Sequence, residues 1–277
     1  MSHNLTKYGE WALVTGGSSG IGYEIARQLV ASGMKCILIS RTEAKLAAAV
    51  TQLGEENSQY RVADLSVDGE IERIAEELHD LDVGLCVHCA GTVFMGHFLD
   101  QDTDNAAQLL GIHIQATSAL VHIFGQRFQV RGGGGFILVS SGLGYAPIPL
   151  GAVYAAAKAY VLSFGQAMHH ELKTNNIDVV TLVPGGTKTN MANELGQYLD
   201  LTKLPFPMGP VEPVAHSAIS ALVGGNARGG MVIPGAMNKL LVFMMRILPG
   251  RNVMAKTFGR QMGKALLKPT TPNTKER

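Results

Sequence analysis

The chain has 277 residues, with 23 basic and 22 acidic side chains and a net charge of +1. That balance gives no reason to expect a nucleic-acid partner, which usually meets a strongly basic domain. Three cysteines, Cys36, Cys86 and Cys89, cannot build a disulfide framework. The polar stretch 1–11 lacks the basic start and apolar core of a signal peptide, and no run of 18 apolar residues occurs. The expectation is a cytoplasmic protein in a reducing compartment.

Trp11-Ala12-Leu13-Val14 is a short apolar run that ends in a Gly-rich turn, and Ile21, Ile25, Ala26 and Leu29 follow at helical spacing. Residues 35–40 (KCILIS) form a second apolar run, 41–53 a helix, and 60–63 a third strand ending at Asp64-Leu65. A helix over about 67–78 leads to a strand at 83–89, and a long helix covers about 104–129. Four glycines, Gly132 to Gly135, mark a turn before the fifth strand at 135–140. Residues 152–173 read as a helix, 177–183 (IDVVTLV) as a sixth strand, 211–223 as a helix and 230–233 as a short last strand.

Continuous apolar strands separated by helices are what a parallel sheet covered on both faces demands. The predicted fold is α/β: one doubly wound domain over 1–234, with a parallel seven-stranded sheet, and a C-terminal helical extension over 235–277. Two segments break the alternation, the loop 189–213 with Pro205, Pro207 and Pro210, and everything after Pro234. Substrate specificity would be housed there. Cys86-Val87-His88-Cys89 has the spacing of a metal or redox pair, but residues i and i+3 of a strand point to opposite faces. Free apolar cysteines and no metal site are expected.

Thr15-Gly16-Gly17-Ser18-Ser19-Gly20-Ile21-Gly22 lies between a strand and a helix. Small residues there allow a tight turn, close approach to a pyrophosphate and a helix N-terminus aimed at negative charge. At the end of the second strand an acidic residue would bond the ribose 2′-OH of NAD, whereas a basic one suits the extra phosphate of NADP. This chain has Ser40-Arg41, and a guanidinium can grip a phosphate with paired hydrogen bonds. The expected cofactor is NADP(H), the alternative being an arginine that is only solvated at a helix start.

Tyr154 and Lys158, four apart on a helix, share one face, and Ser141 lies thirteen residues before the tyrosine. A free phenol titrates at about 10. A neighbouring ammonium and the positive nicotinamide of an oxidised cofactor both favour the phenolate, so the expectation is a lowered value. Tyr154 would act as general acid or base and Ser141 would stabilise a developing alkoxide.

The TGxxxGxG spacing, with Ser141, Tyr154-Ala155-Ala156-Ala157-Lys158 and Pro184-Gly185-Gly186-Thr187-Lys188-Thr189, resembles the short-chain dehydrogenase/reductase family over roughly residues 8–234. The opening Lys7-Tyr8-Gly9-Glu10-Trp11, with Leu38-Ile39-Ser40-Arg41-Thr42 and Lys45-Leu46, looks most like its 3-oxoacyl and hydroxysteroid reductase branch. The resemblance implies a Rossmann fold and homo-dimers or homo-tetramers formed through the long helices. It also implies cofactor contacts from Gly16, Ser18, Ser19, Gly20, Ile21, Gly22, Arg41, Asp64, Leu65, Ala90, Gly91, Pro184, Gly185, Thr187 and Thr189. Tyr154 and Lys158 would also touch the cofactor, Lys158 through the nicotinamide ribose, and Asp64 would bond the adenine amino group.

Two positions depart from the family pattern. His88-Cys89-Ala90-Gly91 stands where an Asn-Asn-Ala-Gly strand end is usual, and Ile112-His113-Ile114 stands where a catalytic asparagine is usual. An imidazole can make similar hydrogen bonds and can titrate near neutrality. His113 is therefore read as a fourth catalytic residue, in a proton relay, or else as a structural histidine.

From Lys239 onward nine basic residues face one acid, a balance of +8 that leaves −7 for the rest. Residues 239–248 (KLLVFMMRIL) are apolar on nearly all sides. The stretch 251–267 sets Lys256, Arg260, Lys264 and Lys268 on one helical face and Met254, Phe258, Met262 and Leu266 on the other. Such a basic amphipathic pattern can lie on an anionic membrane surface, cap the substrate pocket or pack against a second subunit. Its greasy character favours a lipophilic substrate. The expected function is NADP(H)-dependent interconversion of a carbonyl and a secondary alcohol, on a 3-oxoacyl thioester or steroid-like ketone. A broad-range carbonyl reductase and a non-catalytic NADP-sensing protein are the alternatives.

Overall fold

A computed structural model describes residues 5–203, 208–225, 227–247 and 250–267. Pro205 and Pro207 of the loop and Lys268, Lys275, Glu276 and Arg277 of the tail lie outside the described residues. Seven strands, β1 (Trp11–Thr15), β2 (Lys35–Ser40), β3 (Ser58–Val62), β4 (Val83–His88), β5 (Gly134–Val139), β6 (Ile177–Leu182) and β7 (Met231–Val232), form one sheet in the order β3-β2-β1-β4-β5-β6-β7. Every pairing is parallel. β4 and β5 are buried at every position, as their unbroken apolar runs require. β3 starts earlier than its apolar residues suggest, because at the sheet edge Ser58 and Gln59 pair with Cys36 and Ile37 without needing an apolar environment on both faces.

The helices are α1 (Gly20–Ala31), α2 (Glu43–Leu53), α3 (Glu70–Glu77), α4 (Thr103–Leu110), α5 (Ala116–Arg131), α6 (Ala152–Glu171), α7 (Asn190–Leu195), α8 (Glu212–Gly224), α9 (Ala236–Ile247) and α10 (Arg251–Ala265). One face of the sheet packs Ile25 and Leu29 of α1, Leu46 and Val50 of α2, and Ile219 and Leu222 of α8. The other packs Ile74 of α3, Phe124 and Phe128 of α5, and Val161 of α6. Cys86 belongs to the second core and Cys89 packs against the first, so the strand period does separate the two thiols.

The long helix expected over 104–129 is interrupted. Between α4 and α5 the turn Gly111–Gln115 is a π-helical bulge, one residue wider than an α-turn, a feature the hydrophobic period does not register. The bulge carries Ile112 and His113 towards the sheet end. Thr103–Arg131 matches a membrane span in length and composition, yet half of that apolar window is buried inside the protein, as befits a core helix.

A third apolar cluster sits beyond the strand ends. Met95, Ile148 and Tyr154 meet Leu199, Met245 of α9, and Phe258 and Met262 of α10. Burying an apolar side chain of this size stabilises the packing by about 1.5–3 kcal/mol. The described residues after Pro234 thus form two helices, α9 and α10, folded back over the domain. The loop 189–213 contributes α7, a helix that its polar sequence did not announce.

Candidate active site

The strand order reverses between β1 and β4, and in an open parallel sheet the crevice outside the carboxyl ends at such a point is where ligands bind. Gly16 turns the chain there at φ +67, a conformation that favours glycine. A Cβ at Gly22 would strike the Gly16 carbonyl, so the first turn of α1 lies directly on the loop. A cavity of about 370 Å³ runs from this loop along the strand ends. Its wall includes Gly16, Ser18, Ser19, Gly20, Ile21, Arg41, Asp64, Leu65, Ala90, Gly91, Ser141, Tyr154, Lys158, Pro184, Gly185, Thr187 and Thr189. Gly22 and His113, also singled out in the sequence, stand behind the wall rather than in it.

These residues fit a dinucleotide. The cradle of Gly16, Gly20 and Gly22 is too tight for side chains, and Thr189, which caps α7 by accepting from the Ala192 N–H at 3.2 Å, places its methyl against Gly20. At the far end Ser40, Arg41, Thr42 and Lys45 line the wall together. The Ser40 hydroxyl is buried without a hydrogen-bond partner among the described residues, and Arg41 lies 4.0 Å from Asp64 with half of its side chain exposed. Asp64 in turn accepts from the Ser66 N–H and hydroxyl.

Ser141 follows β5 and caps a short turn, its Oγ accepting from the Leu143 N–H at 3.2 Å, which leaves the O–H to donate into the cavity. Tyr154 and Lys158 sit one turn apart near the start of α6, both buried, with the ammonium 5.8 Å from the Tyr154 ring centre. Lys158 Nζ donates to the Val139 carbonyl at 2.9 Å. Burial pushes Lys158 down to about 8. Burial also pushes Tyr154 up to about 12, against a smaller opposing pull from Ser141. The lowered phenol expected from the sequence is therefore not what the protein's own groups produce, because taking the phenolate out of water outweighs the favourable contacts.

His113 likewise differs from expectation. Its Nε2–H donates to the Thr92 carbonyl at 2.9 Å and its ring meets Tyr154 edge-on at 5.8 Å. Burial, with the Lys158 charge second, holds it well below the usual histidine range. It is a neutral imidazole at physiological pH rather than one titrating near neutrality.

His88 stands out in the sequence only as a departure from the family pattern, with no role attached to it. His88 Nε2 lies 3.1 Å from the Ile112 carbonyl, which only accepts, so that nitrogen carries the proton. Nδ1 then accepts from the Thr15 hydroxyl at 2.9 Å. The same hydroxyl accepts from the Cys89 and Ala90 N–H groups. His88 thus ties the ends of β1 and β4 to the bulge that carries His113. Asn238 of α9 was also missed: a Cβ at Gly185 would overlap its side-chain amide, so the extension rests on the Pro184-Gly185 turn.

The short chain dehydrogenase family model matches residues 10–200. The chain belongs to that family. It is 30% identical over 274 residues to the very-long-chain 3-oxoacyl-CoA reductase of Rattus norvegicus, covering 96% of this chain and 85% of the relative. It is 34% identical over 186 residues to the 7beta-hydroxysteroid dehydrogenase of Clostridium sardiniense, covering 66% and 71%. It is also 32% identical over 224 residues to the human inactive hydroxysteroid dehydrogenase-like protein 1, covering 79% and 67%. Among solved structures, a short-chain dehydrogenase from Sphingobium yanoikuyae in complex with NADPH superposes with a TM-score of 0.73 at 25% identity, over 95% of this chain and 98% of that one. A structure of 7beta-hydroxysteroid dehydrogenase superposes with a TM-score of 0.80 at 23% identity, over 93% and 99%, and shares the fold. This short-chain dehydrogenase is thus an oxidoreductase of the nicotinamide-binding Rossmann type that resembles the 3-oxoacyl and hydroxysteroid reductases.

Proposed function

We propose that the protein is an NADP(H)-dependent reductase that converts a carbonyl on a lipophilic molecule, a 3-oxoacyl thioester or steroid-like ketone, to a secondary alcohol, and runs the reverse oxidation. The observation that carries this reading is the continuity of one cavity. It joins the Ser40-Arg41 corner to Ser141, Tyr154 and Lys158, and these to a chamber walled by Met95, Met191, Leu195, Leu199, Met245 and Phe258. A chamber so apolar offers a polar substrate few partners and an acyl chain or ring system many. The flexible methionines adapt to irregular apolar shapes.

A reduced nicotinamide, when bound along this wall, would be the source of hydride for a carbonyl carbon. Tyr154, held as a neutral phenol, donates the proton to the carbonyl oxygen, and the Ser141 O–H hydrogen-bonds that oxygen as charge develops on it. Lys158 would hold the ribose hydroxyls of that cofactor, and it presents its positive charge to the phenolate left behind. Ser40, Arg41 and Lys45 support the choice of NADP: a hydroxyl in want of a partner and two cations suit a 2′-phosphate. A homo-dimer or homo-tetramer built through α5 and α6 completes the reading, with light scattering as its check.

The test is NADPH and NADH oxidation against acetoacetyl thioesters, steroid ketones and small ketones, with Tyr154→Phe beside the parent. Turnover with NADPH on a lipophilic ketone, reduced by about a hundredfold or more in the variant, is the expected result. Comparable kcat/KM values across the whole panel would replace the specific reductase with a broad-range carbonyl reductase. Tight NADPH binding with no turnover would make the protein a cofactor-binding sensor.

A further inference from the structure

The two C-terminal helices have an inner and an outer side, and only the inner side serves the site just described. Leu241 and Met245 of α9 and Phe258 and Met262 of α10 line the cavity. At 3.6 residues per turn, Met237, Leu240, Met244 and Ile247 fall at i, i+3, i+7 and i+10, a stripe on the side of α9 away from the cavity, with Phe243 beside it. All five are exposed, from 37% at Met244 to 64% at Met237 and Ile247. A water-facing helix would carry polar residues in this stripe.

The charges around the stripe have one sign. Lys239, Arg246, Arg251, Lys256, Arg260 and Lys264 are all exposed, and no acidic residue occurs between 236 and 267. None of the six is paired with a carboxylate among the described residues. On α10 Lys256, Arg260 and Lys264 stand at i, i+4 and i+8, opposite Phe258 and Met262, so their ammonium and guanidinium groups point away from the cavity. The rest of the chain carries a net negative charge, which confines the attraction to this face.

We propose that the outer face of α9 and α10 docks on an anionic lipid bilayer, the α9 stripe entering the acyl boundary and the cations of both helices meeting lipid phosphates and carboxylates. Apolar burial and attraction to anionic headgroups act together in such a face, and neither suffices alone. A second copy packed face to face about a two-fold axis would present the same cations and be repelled, whereas an anionic surface satisfies them. Docking places helices that wall the chamber at the lipid surface, so that a lipophilic ketone passes from bilayer to chamber without crossing water. That last consequence rests on the reductase reading, while the docking itself does not.

The experiment is co-sedimentation of the full chain with vesicles of phosphatidylcholine alone and of phosphatidylcholine mixed with phosphatidylserine. Two triple variants accompany the parent, one with Leu240→Asp, Phe243→Asp and Ile247→Asp, the other with Lys256→Glu, Arg260→Glu and Lys264→Glu. None of these residues lines the cavity. The parent is expected to sediment with the mixed vesicles, to be released by salt and to stay in solution with phosphatidylcholine alone. Each basic residue near an anionic surface contributes roughly fivefold in affinity, so loss of three charges alone weakens binding about a hundredfold and the charge-reversal variant should bind more weakly still. The aspartate variant should also be lost from the pellet, with its circular dichroism and melting temperature matching the parent's.

A parent that stays in the supernatant with mixed vesicles overturns the proposal. Binding untouched by either variant does the same. Dimers of the parent that the aspartate variant dissolves, without change in sedimentation, would assign the stripe to a second copy instead. Failure of the reductase reading shows differently, as sedimentation that persists in a protein that turns over no ketone.

Discussion

Tyr154 and Lys158 are both displaced by burial, in directions that suit reduction. A phenol pushed up to about 12 keeps its proton throughout the neutral range and has it to give. An ammonium pushed down to about 8 is lost as pH rises through that value, and with it the positive charge that stabilises the phenolate. The reductive kcat/KM, which reports the free enzyme, should therefore be level near neutrality and fall about tenfold per pH unit above about 8. Lys158→Arg, whose guanidinium stays charged, should carry that falling limb upward; a limb that does not move would belong to another group. Arg41 offers a second check on single side chains. Replacing it with glutamate sets a carboxylate where a 2′-phosphate would lie, and the loss of a charge-assisted contact should weaken NADPH binding by roughly tenfold to a hundredfold. NADH binding, followed by calorimetry alongside, should change little. Equal effects on both cofactors would make Arg41 a solvated helix-start residue.

At the scale of elements, the π-helical bulge between α4 and α5 is held from two sides, by His88 on the Ile112 carbonyl and by His113 on the Thr92 carbonyl. Gly91 is what lets the second contact form: a Cβ there would lie 2.5 Å from His113 Cε1. Gly91→Ala should force the imidazole off Thr92 and cost about 1–3 kcal/mol of stability in urea unfolding. Adding His113→Asn, a shorter side chain, should return part of that loss, a coupling that a double-mutant cycle measures; additive effects would mean the ring does not bear on Gly91. Neither contact was legible in the sequence, where His88 and His113 were visible only as departures from a family pattern. The strands and their helices could be read because burial on both faces writes itself as unbroken apolar runs, and β2 begins and ends where KCILIS does. The glycine turn and the Ser40-Arg41 corner that line the cavity were equally readable, since turn, strand end and helix start are local in the chain. The bulge, the fold-back of α9 onto Gly185 and the helix inside 189–213 depend on contacts between distant residues, which periodicity cannot carry.

At the scale of the whole molecule, the buried neutral histidines couple the stability of the fold to pH. Burial lowers His88 from 6.5 to about 4 in the native protein, the hydrogen bond to Ile112 opposing the shift only in part. Between those two values the unfolded chain takes up a proton that the native chain refuses, so acid favours unfolding. The contribution of His88 is complete above pH 6.5 and is lost as pH falls towards 4. Its size is about 3 kcal/mol at 1.36 kcal/mol per pKa unit, a large share of the ~5–15 kcal/mol that holds a domain folded. His113 acts in the same direction. Carboxylates add their own acid sensitivity, but they do so equally in a variant that lacks the imidazole. Urea unfolding of the parent and of His88→Asn at a series of pH values from 7 to 4 therefore isolates the histidine. The variant should start less stable, because the Thr15 and Ile112 contacts are impaired, and its stability should then fall less steeply, by up to about 1.4 kcal/mol per pH unit for one proton. Parallel slopes would show that the native state accepts the proton at His88, and that the link between the strand ends and the bulge survives it.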